Sequence, residues 1–416
     1  MTTEALRLYR LRQIAPGNLV DTRGDTVGRV EDVIVRLERS GYPAVTGLQA
    51  RIGDRSVFVP IEHVAGVEPG RTHLTRQTVD LGRFERRPGE VLLRHEILNH
   101  ALINVEAGRL VRAVDVILGR DRTTWHVVGI DPHPRPLLQR VLHTASDAAI
   151  EPGSIIDWSR LEPLLSHVPS ARLRLPLQRL RRLHPAQIAD LVEAASHDEG
   201  EEIITTVRDD PALEADVFEE LDTEHQLEFL QGRTDEEAAA LLAGMAADDA
   251  ADLISDLDQS RRADILARLP DPQQTKVRRL LAYNPQTAGG LMHPDFLAVG
   301  ATTPVRQTLE QVKEATIPIT AIFVVDPESC LLGLIALQDL LRTSPSSPVG
   351  ECAGLVRVQV TADADFTDIA LRMTDYNLTA LPVVDESNHV LGAISVDDVL
   401  ELLVPQDWRR RGEGGS

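Results

Sequence analysis

Residues 320–341, TAIFVVDPESCLLGLIALQDLL, return 59 positions later as residues 379–400, TALPVVDESNHVLGAISVDDVL. Thr320 recurs as Thr379, Val325 as Val384, Asp326 as Asp385, Gly333 as Gly392, Ile335 as Ile394 and Asp339 as Asp398. Each copy reads as an apolar strand, a polar turn, a second strand and a short helix. Duplicated units of this kind pair about a pseudo-twofold axis and leave clefts between the copies. Such clefts suit a regulator better than a substrate, so the last third of the chain predicts a regulatory α/β pair.

Upstream of the repeat, from His184 to Tyr283, the pattern changes to short segments with narrow apolar stripes. These are Ile188/Leu191/Val192, Ile203/Ile204/Val207, Leu227/Leu230, Leu241/Leu242, Leu253/Ile254/Leu257, Ile265/Leu266/Leu269 and Val277/Leu280/Leu281. Thr223, Thr234 and Asp271-Pro272 stand where helices start. Helices this short are not stable alone and must stack, which predicts an all-α solenoid. Between Asp190 and Asp271 there are 25 acidic residues against 5 arginines and no lysine, a balance of −20 in a chain whose net charge is −21. A surface of that sign repels nucleic acid and attracts cations.

The N-terminal third reads as short strands. Asp32-Val33-Ile34 returns as Asp115-Val116-Ile117, and VTGLQA at 45–50 is similar to VVGIDP at 127–132. The pattern resembles the PRC-barrel family and predicts two related small β-barrels, over 1–75 and 76–140. Residues 141–183 are a Pro/Arg-rich linker carrying Arg172, Arg174, Arg179, Arg181 and Arg182 among leucines. That run is either a helix with snorkelling charges or a strap for an anionic surface.

At 416 residues the chain is long enough for several cores. Two cysteines, Cys330 and Cys352, cannot make a disulfide framework and fit a reducing compartment. Neither a signal peptide nor an apolar run long enough to cross a bilayer is visible, which predicts a soluble protein, cytoplasmic or peripheral to the inner membrane face. His95 and His100 are too far apart to share a helix face, and phosphate-loop, nucleophile-elbow and Cys-x-x-Cys motifs are missing. No enzyme is expected.

The stretches LHPAQIADLVE, AADDAADLISDL and YNPQTAGGLMHPDFLAV resemble the cytosolic N-domain of MgtE magnesium channels, and the repeat resembles the paired CBS domains that follow it in that family. The resemblance implies a solenoid over 184–284, CBS repeats over 285–346 and 347–405, and a polar tail over 406–416. It also implies a gate sensor in which magnesium bridges facing carboxylates. Carried over position by position, the metal ligands fall on Asp216, Asp248, Asp398 and Glu401. Where the family often has a further aspartate stands Asn377, one charge fewer. Asp248 and Asp398 also sit where helices begin, and a carboxylate suits that position without any metal.

CBS pairs of this type commonly hold adenine nucleotide, ATP or AMP. The matching residues are Thr379, Pro382, Gly392, Ser395 and Asp398; in the first repeat Ala336 replaces the hydroxyl. Leu378, Ala321 and Gln338 stand where nucleotide-binding relatives have an aromatic, a Tyr and an Arg, which weakens stacking and phosphate pairing. The Gly289-Gly290 pair reads as a hinge. The segment after the second repeat is interrupted by Pro405 and ends in VPQDWRRRGEGGS, with no pore-forming stretch expected. The resulting expectation is a magnesium-sensing regulatory protein, a homodimer through its CBS pair, that presents its state to a transporter or channel. The alternatives are a scaffold, or an auxiliary transport subunit anchored by basic residues such as Trp408-Arg409-Arg410-Arg411.

Overall fold

The computed structural model describes residues 7–37, 41–77, 84–121, 124–133, 154–164, 180–315, 317–352 and 354–403. Arg172, Arg174, Arg179 and the tail from residue 404, including Trp408, lie outside them. The chain forms two compact units, Met1–Asp222 and Thr223–Ser416.

The first unit begins with β1 (Arg7–Arg10), α1 (Leu11–Ile14), β2 (Gly17–Val20), β3 (Thr26–Arg36), β4 (Ala44–Ile52), β5 (Arg55–Pro60), β6 (Val64–Glu68) and β7 (Arg71–Leu74). It continues with β8 (Glu90–Leu92), β9 (Ala101–Asn104), β10 (Arg109–Arg112), β11 (Asp115–Asp121), β12 (Thr124–Asp131), β13 (Ile156–Asp157) and β14 (Leu161–Pro163). Eleven of these strands form one curled sheet, eight along the path β1-β11-β12-β4-β3-β2-β7-β6 with β13, β5 and β8 paired to β12, β4 and β3, while β10, β9 and β14 form a second. The sequence repeat is visible in the strands, but the halves exchange their first strands. β1 pairs antiparallel with β11, and β8 with β3, so pairing crosses the expected division near residue 75.

The repeated aspartates are both buried, Asp32 at 3% and Asp115 at 1% exposure. Asp32 Oδ1 accepts the N–H of Val33 and of Arg94, each at 2.7 Å, and Oδ2 that of His95 at 3.0 Å. It thereby caps the helical turn Leu93–Ile97 that follows the exchanged strand β8. Around these groups lies a continuous apolar core built from Leu11, Val33, Leu48, Leu102, Leu118 and Trp125 among others.

Three helices complete the unit: α2 (Pro185–Glu193), α3 (His197–Val207) and α4 (Pro211–Glu220), with α4 packed on α2. The second unit opens with α5 (Thr223–Gln231), α6 (Asp235–Leu242), α7 (Ala247–Asp256), α8 (Gln259–Arg268) and α9 (Asp271–Leu280). In this helical module α7 packs on α9 and α6 on α8, the alternating stack expected of short amphipathic helices. Ile203, Ile204, Val207, Leu242, Ile254, Ile265 and Val277 are at most 1% exposed, as their stripes predict. Thr234 starts α6 with a reciprocal capping box to Glu237.

The two copies of the 59-residue repeat follow. The first holds α10 (Ala288–Leu291), β15 (Ala298–Gly300), α11 (Val305–Glu314), β16 (Ala321–Val325), β17 (Leu331–Ala336) and α12 (Leu337–Arg342). The second holds β18 (Val360–Thr361), α13 (Phe366–Tyr376), β19 (Ala380–Val384), β20 (Val390–Ser395) and α14 (Val396–Leu403). Ala321 pairs with Ala336 as Ala380 pairs with Ser395, and Val324 with Gly333 as Val383 with Gly392. The copies meet where Cys330 bridges His389 and the Leu331 N–H donates to Asn388 O at 2.9 Å. Here too the lead-in segments are exchanged: Val356 bridges Leu334, and His293 bridges Ala393.

The Gly289-Gly290 pair serves close packing instead of a hinge. A Cβ on Gly289 would sit 2.5 Å from the Tyr283 ring, and one on Gly290 would sit 2.4 Å from Asn284 O. Ala288 and Gly289 donate their N–H groups to Ala364 O and Ala362 O at 2.9 and 2.8 Å. Asn377 has a local explanation as well: it closes α13 in the left-handed conformation, φ 49°, which asparagine tolerates better than most residues.

A carboxylate–imidazole–carboxylate junction as candidate functional site

Two of the acids singled out in the sequence converge within the second unit, and a residue that was not singled out joins them. Asp248 lies in the first turn of α7 and is 9% exposed. Asp398 lies in the first turn of α14. His293 follows α10 and reaches both: its Nδ1 is 2.8 Å from Asp248 Oδ2, and its Nε2 is 2.9 Å from Asp398 Oδ2. An ionised carboxylate only accepts, so between two of them both ring nitrogens donate and the ring is an imidazolium. Burial opposes that charge. The hydrogen bonds and Coulombic pull of Asp248 and Asp398 outweigh it and push His293 up to about 11. Burial would raise Asp398, but His293 and the Ser395 donors hold its carboxyl below the usual carboxylate range.

Local structure fixes each member. Asp398 Oδ2 also accepts the Ser395 N–H at 2.9 Å, and Ser395 Oγ accepts the Asp398 N–H at 3.2 Å, a capping box at the start of α14. His293 is held as an added strand on β20: its N–H donates to Ala393 O at 2.8 Å, and the Ala393 N–H donates to its O at 2.9 Å. Gly392 permits this, because a Cβ there would be 2.6 Å from His293 O. Met292 beside it is fully buried. Two residues on, Asp295 takes Lys276 of α9 on both oxygens at 2.7 Å.

Of the other expected ligands, Asp216 is exposed on α4, in the first unit. Glu401 falls on α14, but its side chain lies outside the described residues. Among the residues expected to hold nucleotide, Thr379 is exposed while its carbonyl accepts the Val396 N–H, and Pro382 is buried in β19. The 292–293 segment lies over Gly392, and Asp398 meets both His293 and Ser395 through Oδ2.

Magnesium binds oxygen at about 2.1 Å and resists sharing a ligand with another cation. The position between Asp248 and Asp398 does not fit it while the imidazolium stands there. The rest of the α7 acid row does fit a hard cation. Asp248 Oδ1 is buried and has no hydrogen-bond partner, and Asp252 and Asp256 follow at one-turn spacing. Desolvation and the charges of Asp248 and Asp256 push Asp252 up to about 6, although its surface stays open to solvent.

Residues 183–286 match the MgtE intracellular N domain, and residues 288–346 and 356–405 match the CBS domain. The chain thus carries an MgtE N domain followed by a CBS pair. It is 37% identical over 137 residues to the magnesium transporter MgtE of Thermus thermophilus and 32% identical over 131 residues to that of Enterococcus faecalis. Those stretches are 32% and 31% of this chain, and 30% and 29% of the relatives. The chain therefore spans under a third of the length of these curated relatives.

Two crystal structures agree with the fold. The soluble part of a magnesium transporter superposes with a TM-score of 0.50 at 27% identity, covering 54% of this chain and 90% of that one. The cytosolic domain of the Mg2+ channel MgtE in complex with ATP gives 0.51 at 29% identity, covering 56% and 94%. Among the described residues no helix is long and apolar enough to cross a membrane.

Proposed function

We propose that this chain is a non-catalytic regulatory protein of magnesium transport, in which the docking of the helical module on the CBS pair is the regulated state. The observation that carries this reading is the convergence of Asp248, His293 and Asp398 from helical module, connecting segment and second repeat. Magnesium is the proposed ligand of the α7 acid row, Asp248 Oδ1, Asp252 and Asp256, with Asp216 and Glu401 as further acidic positions that favour cations. Like charges one turn apart repel, and a dication binding them stabilises the arrangement that gathers them. Adenine nucleotide is a proposed second ligand of the CBS pair. Its ribose would meet Asp398, whose Oδ2 already takes His293, so nucleotide binding and docking share this residue. The partner is a transporter or channel, and a homodimer is proposed through the exposed apolar residues of α12, α13 and α14.

The test is a magnesium titration followed by small-angle scattering and thermal melting, on the wild-type chain and on Asp252→Asn. A magnesium-dependent gain in melting temperature that Asp252→Asn reduces supports the reading. Scattering and melting that ignore magnesium over the millimolar range sink it. They would favour a scaffold, a reading His293 already supports because it bridges the two carboxylates without added ligand.

A further inference from the structure

Two carboxylates can be brought together by a divalent ion or by a cation that the chain itself supplies. We propose that His293 is the built-in counter-cation of this junction, standing where the family resemblance puts a metal ion, so that the helical module docks on the second CBS repeat without metal. The inference shares Asp248 with the proposed magnesium row but takes only its Oδ2, so magnesium at Asp248 Oδ1, Asp252 and Asp256 would add to a docking that the ring already holds.

Three observations support it. Both ring nitrogens face carboxylate oxygens, at 2.8 and 2.9 Å, so one ring bridges the two acids directly with no room for an ion between them. The ring is carried on a segment that is itself fastened, by the two backbone bonds to Ala393 and by fully buried Met292. The same segment is clamped to the helical module a second time with the charges reversed. His293 gives its positive charge to Asp248 on α7, and Asp295 gives its negative charge to Lys276 on α9, a helix packed against α7. Alternating signs two residues apart on an extended segment fix its register, because a slip would set like charges face to face.

A tethered ring also has a kinetic and entropic advantage over a free ion. It is always present at the junction, whereas magnesium must be drawn from solution and shed part of a tightly held water shell. Converting this junction to metal control would require only the loss of the imidazole. What would remain is two carboxylates bounding a space, which suits a hydrated dication.

The experiment compares wild type, His293→Ala and His293→Gln by thermal melting of the full chain in EDTA and in millimolar magnesium. Both variants are expected to melt lower than wild type in EDTA, by on the order of 5 °C. Magnesium should return most of that loss, a larger gain than wild type shows. Adding Asp248→Asn and Asp398→Asn to His293→Ala removes the repulsion and should abolish the extra gain. Variants that melt with wild type in EDTA, or that gain no more from magnesium than wild type, overturn the proposal. A measurement on wild type alone guards against variants that do not fold: exchange of the His293 and Ala393 amides should already be at least about tenfold slower in EDTA than for an open segment. Exchange of those amides in EDTA at the rate of an open segment overturns it equally.

Discussion

Replacing Gly392 by alanine should lift the connecting segment off the second repeat and break the junction without touching a charged group. The added Cβ would lie 2.6 Å from His293 O, 2.9 Å from Met292 Cγ and 3.0 Å from Met292 Sδ. Met292 has no free space to yield, since it is fully buried, and His293 O is held by the Ala393 N–H at 2.9 Å. The shift costs two backbone hydrogen bonds at about 1 kcal/mol each, with overpacking adding roughly 1–2 kcal/mol. Local opening of the segment should therefore rise about 100-fold or more, a factor of ten for each 1.4 kcal/mol. Native-state hydrogen exchange reads this directly at the His293 and Ala393 amides. Gly232→Ala, whose Cβ meets nothing within 4 Å, is the control. If exchange at His293 and Ala393 in Gly392→Ala matches wild type, the strand-like attachment of the segment is wrong, and with it the positioning of the ring.

Other outcomes follow from the same structure. Burial pushes the Asp32 carboxyl up to about 6 although the Arg94, Val33 and His95 N–H groups pull it down. The folded chain therefore holds that proton more tightly than the unfolded one, so Asp32 costs stability above about pH 6 and the cost fades as pH falls toward 4. Denaturant titrations should show wild type losing up to about 3 kcal/mol relative to Asp32→Asn between about pH 4 and 7; a pH-independent difference refutes this. In EDTA, Asp252→Asn should be no less stable than wild type, with a gain below about 1 kcal/mol because the group is open to solvent; a clear loss would mean that Asp252 has a stabilising partner. Leu400 and Leu403 are 49% and 55% exposed on α14, and changing both to glutamate should turn a dimer into a monomer by light scattering. An unchanged mass would remove that face as the dimer surface.

Much of the fold is legible in the sequence because repeats and stripes are local. The 59-residue displacement reappears as matched β16/β17 and β19/β20 registers, and the stripes of residues 188–281 become the buried faces of short helices. Which copy a strand joins is not local. The two halves of the first unit carry interchangeable first strands, and the CBS lead-in segments are exchanged likewise; a duplicated pattern scores both pairings alike. Gly289 and Gly290 look the same whether they bend or allow close approach, and only the Tyr283 ring and Asn284 O beside them decide.

Asp248 and Asp398 were legible as acids that meet. What joins them was not, since His293 contacts residues 45 positions before and 105 after it. Its counterpart 59 positions on is Cys352, so reading by repeat passes over it. The available signal was charge: a histidine opening the His-Pro-Asp stretch between two acidic modules. That signal points to a cation supplied by the chain as readily as to one from solution.

The state of the His293 ring tests the central claim most directly. Nitrogen NMR of the histidine-labelled full chain in EDTA, at about pH 8, reports the protonation of Nδ1 and Nε2 separately. The account predicts both nitrogens protonated, each coupled to a proton in slow exchange with water. A neutral ring under those conditions, with one nitrogen bare, would contradict it.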